Sequence, residues 1–336
     1  MLSALDLLFI ASYFILILIV GLCFARKETK EDYLIGGRKL KTLSSAFTIT
    51  ASKVGGGLLL TYTALVYVYG LAALWFFMGI VFGYVIFYFF AKKLKKLSDQ
   101  KKYYTLPDFF FDQYGKLAGY IAAIIVFVTM FGWVIVNFIG GAKILENFTT
   151  ISFETSTALV GMVILAYLLV GGFKAVVKTD SIQLFGILIL FILMVYLLVS
   201  NPTVLHNADF NLFSISIGSI ISFFLAGVLF PMASAELWQR VYAVKDEQTL
   251  KKSLITASAL YVTIGVFLLF IGLVIRNSFI GIDPDNSLIL GLSRLLPSGF
   301  SGLAIVVFYS AIMSSADTFL FTANATFNSG HSTQIK

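Results

Sequence analysis

The sequence predicts an all-α polytopic membrane protein, and three observations carry that expectation. Of 336 residues, 59% are hydrophobic and only 12% charged, where a soluble domain carries about 25% charged residues. Mean hydropathy is +0.94. The apolar residues gather into repeated runs of roughly 20, the length at which a helix crosses the hydrocarbon core.

About nine spans are expected in order along the chain: 4–25, 44–69, 71–91, 118–145, 156–173, 180–200, 213–235, 254–276 and 300–323. The first is too long for the apolar region of a cleavable signal and lacks a small-residue cleavage site, so it counts as a span. The connectors alternate in charge. Segments 26–41, 92–116, 173–180 and 239–252 hold most of the lysines and arginines, whereas 201–212 has none and 277–299 has only Arg294. Lys143 sits near the end of a span. The positive-inside rule then sets the N-terminus outside and the C-terminus in the cytoplasm, with the plasma membrane as location.

The same distribution excludes a nucleic-acid surface despite a net charge of +7, because no basic stripe interleaved with aromatics lies on a polar face. A single cysteine, Cys23, excludes an internal disulfide and a cysteine metal cluster. His206 and His331 are isolated and read as solvated loop residues. The spans offer no nucleophile–base pair, so an enzyme is not expected; nor is any cofactor.

Two spans are not uniformly apolar. In the second, "TASKVGGGLLL" (50–60) sets Lys53 beside Gly55, Gly56 and Gly57. The seventh carries Gly227 and Pro231 in mid-course. A broken helix in lipid survives where it lines a protein-enclosed cavity, and two such breaks five spans apart fit an inverted-repeat transporter with a midplane site. The alternative is local: glycines ease helix packing and proline makes a kink.

Four stretches resemble the sodium:solute symporter family: "DYLIGGRKL" (32–40), "GGFKAVVKTDSIQ" (171–183), "WQRVYAVKD" (238–246) and "AIMSSADTFL" (311–320). Leu168 departs slightly from the family pattern. The resemblance implies one membrane domain over 1–336: an extra helix (4–25), a first five-helix inverted repeat (44–200), a partial second repeat (213–323) and a cytoplasmic tail (324–336). A full second repeat needs two more helices, so the chain is expected to be a truncated or frame-shifted copy, with helices supplied by a partner as the alternative.

On the last span, Ser314 and Asp317 share a helical face, with Ser315 adjacent. Serines in a membrane helix also simply pack closely or bond back to their own carbonyls. The resemblance implies a sodium site from the carbonyls of Ala51, Val54 and Ala311 and the hydroxyls of Ser314 and Ser315. It further implies a second cation position at Asp180, Asp317 and Thr318, although Asp180 also reads as an N-cap of span six. Asp317 lies too deep for a cap and is a functional candidate by default.

Several relatives have an acid where this chain has Lys53, and a fixed ammonium there would repel sodium by a few kcal/mol at an effective dielectric of about 20. Three readings stay open: Lys53 pairs with Asp317 or Asp180; it replaces the ion, making transport sodium-independent or proton-linked; or it snorkels to the interface. Gly56, Thr61, Trp133 and Asn137 are the expected solute-lining residues, and nothing in them names the solute. The expected function is a cation-coupled symporter of a small organic solute in a lipid bilayer, with sodium as the expected coupling ion. The competing class is a non-transporting sensor module.

Overall fold

The computed structural model describes residues 2–23, 29–149, 151–168, 172–203 and 210–332, and among these it is helical, with one isolated β-bridge. Helix α1 (Ala4–Cys23) is followed by the short α2 (Lys30–Ile35). Next come α3 (Thr42–Lys53) and α4 (Gly56–Tyr69), the halves of one interrupted rod. Helices α5 (Leu74–Lys101), α6 (Leu106–Phe148) and α7 (Phe153–Leu168) complete the first stretch. Then α8 (Phe173–Leu188) and α9 (Leu190–Ser200) run nearly end to end. A second interrupted rod, α10 (Ile217–Met232) and α11 (Ala235–Ala243), leads to α12 (Glu247–Ser278), α13 (Ser287–Leu295) and α14 (Phe300–Ser332).

Among the described residues, six segments are long and apolar enough to cross a membrane, or seven if the bent pair α10–α11 counts as one. Length and apolarity therefore do not reproduce the expected nine. The broken rod accounts for part of the difference: α3 has 12 residues and α4 has 14. Helix α7 has 16, too few to span unaided.

Both interruptions exist, with one relocation. Between α3 and α4, Val54 leaves helical geometry (φ −87°, ψ 61°) and Gly55 is extended (ψ 173°). The second break falls at Ala233–Ser234, with a bend of 44°, and not at Gly227 or Pro231, which lie within α10. Gly227 is a packing residue: a Cβ there would stand 2.2 Å from the carbonyl oxygen of Phe76 on α5. Span six also begins earlier than expected. Helix α8 starts at Phe173 with Gly172 as its cap residue, so Asp180 is a mid-helix residue with no accessible surface, and its reading as an N-cap is corrected.

His206 lies outside the described residues. His331 lies in α14, not in a loop, and that helix continues beyond the expected end at 323.

Burial separates the helices. The most apolar window of α14 is 89% buried inside the protein, whereas that of α1 is 22% buried. Helix α14 packs on α6, α8, α3 and α1; α10 lies along α5; and α12 packs on α3, α4 and α5. Polar side chains on α14 thus face protein, while Leu8, Ile15, Phe89, Ile124 and Leu229 form part of the exposed apolar surface a bilayer covers.

Three of the four family-like stretches converge at one end of the molecule. Gly36 and Gly37 adopt φ of 65° and 67°, the left-handed region that glycine enters without strain. Their turn lets Leu40 pair with the chain after α11: the Leu40 amide donates to Ala243 O (3.1 Å) and the Lys245 amide to Leu40 O (3.1 Å). Gln239 donates to Leu34 O (2.9 Å), and Lys174 to Asp32 Oδ1 (2.7 Å).

Candidate functional site

A helix leaves its last carbonyls without intrahelical partners, and the end of α3 accounts for each of them. Thr50 O receives the Val54 amide. Ser314 Oγ lies 2.9 Å from Ala51 O, Ser315 Oγ lies 3.1 Å from Ser52 O, and the Tyr261 hydroxyl donates to Lys53 O at 3.3 Å. Ser314 Oγ is also 3.0 Å from Ala311 O. One hydroxyl proton therefore faces two carbonyl oxygens, and the group is rich in acceptors. A hard monovalent cation is the natural complement of such a set.

Of the five residues expected at the sodium site, Ala51, Ala311 and Ser314 meet directly, while Ser315 turns to Ser52 and not to Val54. Val54 is fully buried at the break, one residue beyond Lys53. Close approach makes this meeting possible: a Cβ on Gly55 would stand 2.5 Å from Ser315 Oγ, and one on Gly56 would stand 2.8 Å from Ile312 Cγ1. The glycine run that looked like a helix breaker thus also lets α4 touch α14.

Lys53 has partners that the sequence reading did not foresee. Its ammonium bonds the Glu236 carboxylate and the Ser234 hydroxyl and lies 4.9 Å from the centre of the Phe230 ring. Its side chain is 5% exposed, so the snorkelling reading is corrected. The expected pairing with Asp180 or Asp317 gives way to Glu236. Lys53 ends α3 and Glu236 lies in the first turn of α11, so each charge also complements its helix dipole.

Asp180 pairs instead with Arg240. The guanidinium donates from Nη2 to Asp180 Oδ2 (3.2 Å) and Thr318 Oγ1 (2.8 Å), from Nε to Thr48 Oγ1 (3.0 Å), and from Nη1 to Glu236 O (3.2 Å). Thr48 in turn donates to Asp180. Asp317, fully buried, lies one residue from Thr318 on the same helix.

A cavity of about 470 Å³ opens beside the two breaks, with Lys53, Gly55, Thr61, Trp133, Asn137, Ser234, Glu236 and Ser315 in its wall. Of the four residues named for a solute pocket, Thr61, Trp133 and Asn137 stand in this wall and Gly56 does not. The Gly56 amide instead donates to Asn137 Oδ1 (3.2 Å), and Asn137 Nδ2 donates to Trp133 O (2.8 Å). Glu236, Arg240 and Tyr261 were missed as site residues. Glu236 carried a usable signal, because an acid three residues after an interrupted apolar run is a functional candidate by default.

The sodium:solute symporter family model matches residues 33–335. The chain is 27% identical over 339 residues to the osmoregulated proline transporter OpuE of Bacillus subtilis, covering 93% of this chain and 68% of that protein. It is 29% identical over 206 residues to a sodium/proline symporter of Haemophilus influenzae (59% and 40%), and 24% identical over 263 residues to one of Staphylococcus aureus (73% and 51%). It spans about half the length of the curated relatives it matches. These named relatives are transporters, not enzymes. The structure matches that of a Na+-coupled sialic acid symporter in a substrate-bound outward-open state with TM-score 0.83 and 20% identity, over 99% of this chain and 75% of that one. At that identity the likeness speaks for the fold, that of an inverted-repeat symporter. The match to the family model across nearly the whole chain establishes that this multi-pass membrane protein belongs to the sodium:solute symporter family.

Proposed function

We propose that the chain forms the ion- and solute-binding part of a sodium-coupled secondary active symporter for a small organic solute. The observation that carries this reading is the meeting of Ala51 O, Ala311 O and Ser314 Oγ at the break between α3 and α4. Freed carbonyls at a helix break are what a dehydrated cation needs at membrane depth. The adjacent cavity gives the solute a place within one side chain of that ion, because Ser315 belongs to both walls. Alternating access then couples their release. Val54 and Ser315 complete the ion's shell in this proposal.

The named relatives make proline the first solute to test. Residues 44–200 form the first inverted repeat and 213–323 the part of the second carried here. The protein sits in the plasma membrane with its N-terminus outside and residues 324–336 on the cytoplasmic side. The partners of Lys53 favour sodium over protons: its ammonium is committed to Glu236 and Ser234 and does not stand in for the ion among the carbonyls.

The test is uptake of radioactive proline into proteoliposomes under an inward sodium gradient, against equal potassium or a proton gradient. Sodium-driven uptake that Ser314→Ala reduces at least tenfold supports the reading. Uptake driven equally by potassium or by protons overturns it.

A further inference from the structure

The cavity wall carries one pair of opposite charges, Lys53 and Glu236, and their contact with each other uses only part of their hydrogen-bonding capacity. An ammonium has three N–H groups, and a carboxylate has two acceptor oxygens. Two N–H groups of Lys53 go to Glu236 Oε1 and to the Ser234 hydroxyl. Glu236 Oε2 is buried and, among the described residues, accepts no hydrogen bond. A second wall residue is in the same condition: the Tyr62 hydroxyl is buried without a hydrogen-bond partner among the described residues. Leaving buried polar groups unmet is costly, most of all for a charged one, so a ligand that meets them recovers that cost. We propose that this pair recognises the solute as a zwitterion: Glu236 Oε2 accepts an N–H from its protonated amine, and the third N–H of Lys53 donates to its carboxylate. The inference rests on the reading of this cavity as the solute site and names the solute's chemical class.

The two charges decide which solutes fit. A solute with a single positive charge is repelled by Lys53, and one with a single negative charge by Glu236, at short range and with little water between. A zwitterion sets the opposite sign against each, so that four charges alternate in a ring. A polyol also donates and accepts, but its hydroxyls are spread over the whole molecule. The wall away from the breaks is largely apolar, with Leu58, Leu65, Phe76, Leu229 and Phe319. Polar neighbours at the breaks are already engaged: Asn137 with the Gly56 amide and Trp133 O, and Ser315 with Ser52 O. The wall therefore matches a molecule that is polar at one end and apolar at the other, an amino acid with an apolar side chain. Glu236 adds a stricter condition. Its oxygen needs a hydrogen, which a quaternary ammonium lacks, so the nitrogen must be a primary or secondary amine. The last torsion of a glutamate side chain is broad, and the carboxylate can turn to that donor without moving α11. The Tyr62 hydroxyl, able to donate or accept, meets either group.

The test is binding to the full wild-type chain in detergent with sodium present, read by calorimetry, for the common amino acids, glucose and lactate. An amino acid with an apolar side chain, proline first, is expected to bind. Three derivatives of that amino acid isolate the groups. The fully N-methylated form keeps both charges but has no N–H, the methyl ester lacks the carboxylate, and the N-acetyl form lacks the cation. Each is expected to bind at least tenfold more weakly than the parent. The double variant Lys53→Gln with Glu236→Gln removes the ion pair as a whole, which proteins tolerate better than loss of one partner. It is expected to bind the amino acid at least tenfold more weakly, and thermal unfolding of the same sample shows whether it is folded. No amino acid bound, a fully methylated form as tight as its parent, or a double variant with wild-type affinity overturns the inference and leaves sodium coupling untouched. Amino-acid binding with uptake that ignores the sodium gradient overturns the coupling reading and leaves this one standing.

Discussion

Lys53, the last residue of α3, and Glu236, the second residue of α11, are joined by a buried ion pair that links the breaks of the two interrupted helices. Each residue lies within three positions of its own break. Because both line the cavity, the pair ties the two rods together where solute is proposed to bind.

Removing one partner leaves the other as an uncompensated buried charge. Lys53→Met is therefore expected to destabilise the protein by about 3–5 kcal/mol, whereas Lys53→Met combined with Glu236→Met recovers most of that loss. Thermal unfolding in detergent measures both. If the double variant is as unstable as the single one, the pair is not the source of the effect.

Gly55 is expected to be intolerant of even one added carbon. A Cβ there meets Ser315 Oγ at 2.5 Å and Ser315 Cβ at 2.9 Å, both belonging to a packed helix. Gly55→Ala should cost about 1–3 kcal/mol in stability through overpacking, and sodium affinity should fall at least tenfold as α4 is pushed off α14. Unchanged sodium binding in this variant would mean that the contact with α14 does not shape the ion site.

Trp133 and Asn137 are four residues apart yet should fail in different ways. The Trp133 ring lines the cavity and packs on Phe319, so Trp133→Ala is expected to raise the KM for solute tenfold or more while leaving sodium binding within twofold. Asn137 receives the Gly56 amide at the start of α4. Asn137→Ala should therefore weaken both solute and sodium, having loosened the break itself. Parallel uptake and sodium-binding measurements separate the two outcomes.

At the loop end of the molecule, the Asp32 carboxyl is held below its ordinary value of 3.8, first by the hydrogen bond from Lys174 and then by that from Thr29. A lowered folded-state value stabilises the protein fully above the unfolded value, and that contribution is lost as pH falls through the folded one. Wild type should therefore lose melting temperature more steeply than Asp32→Asn as pH drops below about 4. Parallel acid limbs for the two proteins would remove Asp32 from the account.

The class of fold and the first helix break were legible in the sequence because both rest on local chemistry. Runs of roughly 20 apolar residues dictate helices in a bilayer, and a glycine run just after Lys53 weakens the helix there; the break takes Gly55, while Gly56 and Gly57 open α4. The second break was legible only approximately. Pro231 marked the region, but chain geometry yields two and three residues later, at Ala233–Ser234, where α11 turns toward Arg240 and its partners. Gly227 misled because a glycine that breaks a helix and one that admits a neighbouring backbone look alike in sequence. The pairings were the least legible part. Lys53 is 183 residues from Glu236, and Asp180 is 60 from Arg240. Only the packing of α3, α8 and α11 decides which acid meets which base.

The backbone contact between Gly79 and Gly227 bears on how the molecule can move. A Cβ on Gly79 would stand 2.1 Å from Phe224 O, and one on Gly227 would stand 2.2 Å from Phe76 O, so α5 and α10 cross with almost nothing between them. One of these helices belongs to the proposed first repeat and the other to the second. In the transport cycle proposed above, the mechanical units would therefore not be the halves of the sequence: a body that carries α5 would have to carry α10 with it, and any sliding surface would lie elsewhere.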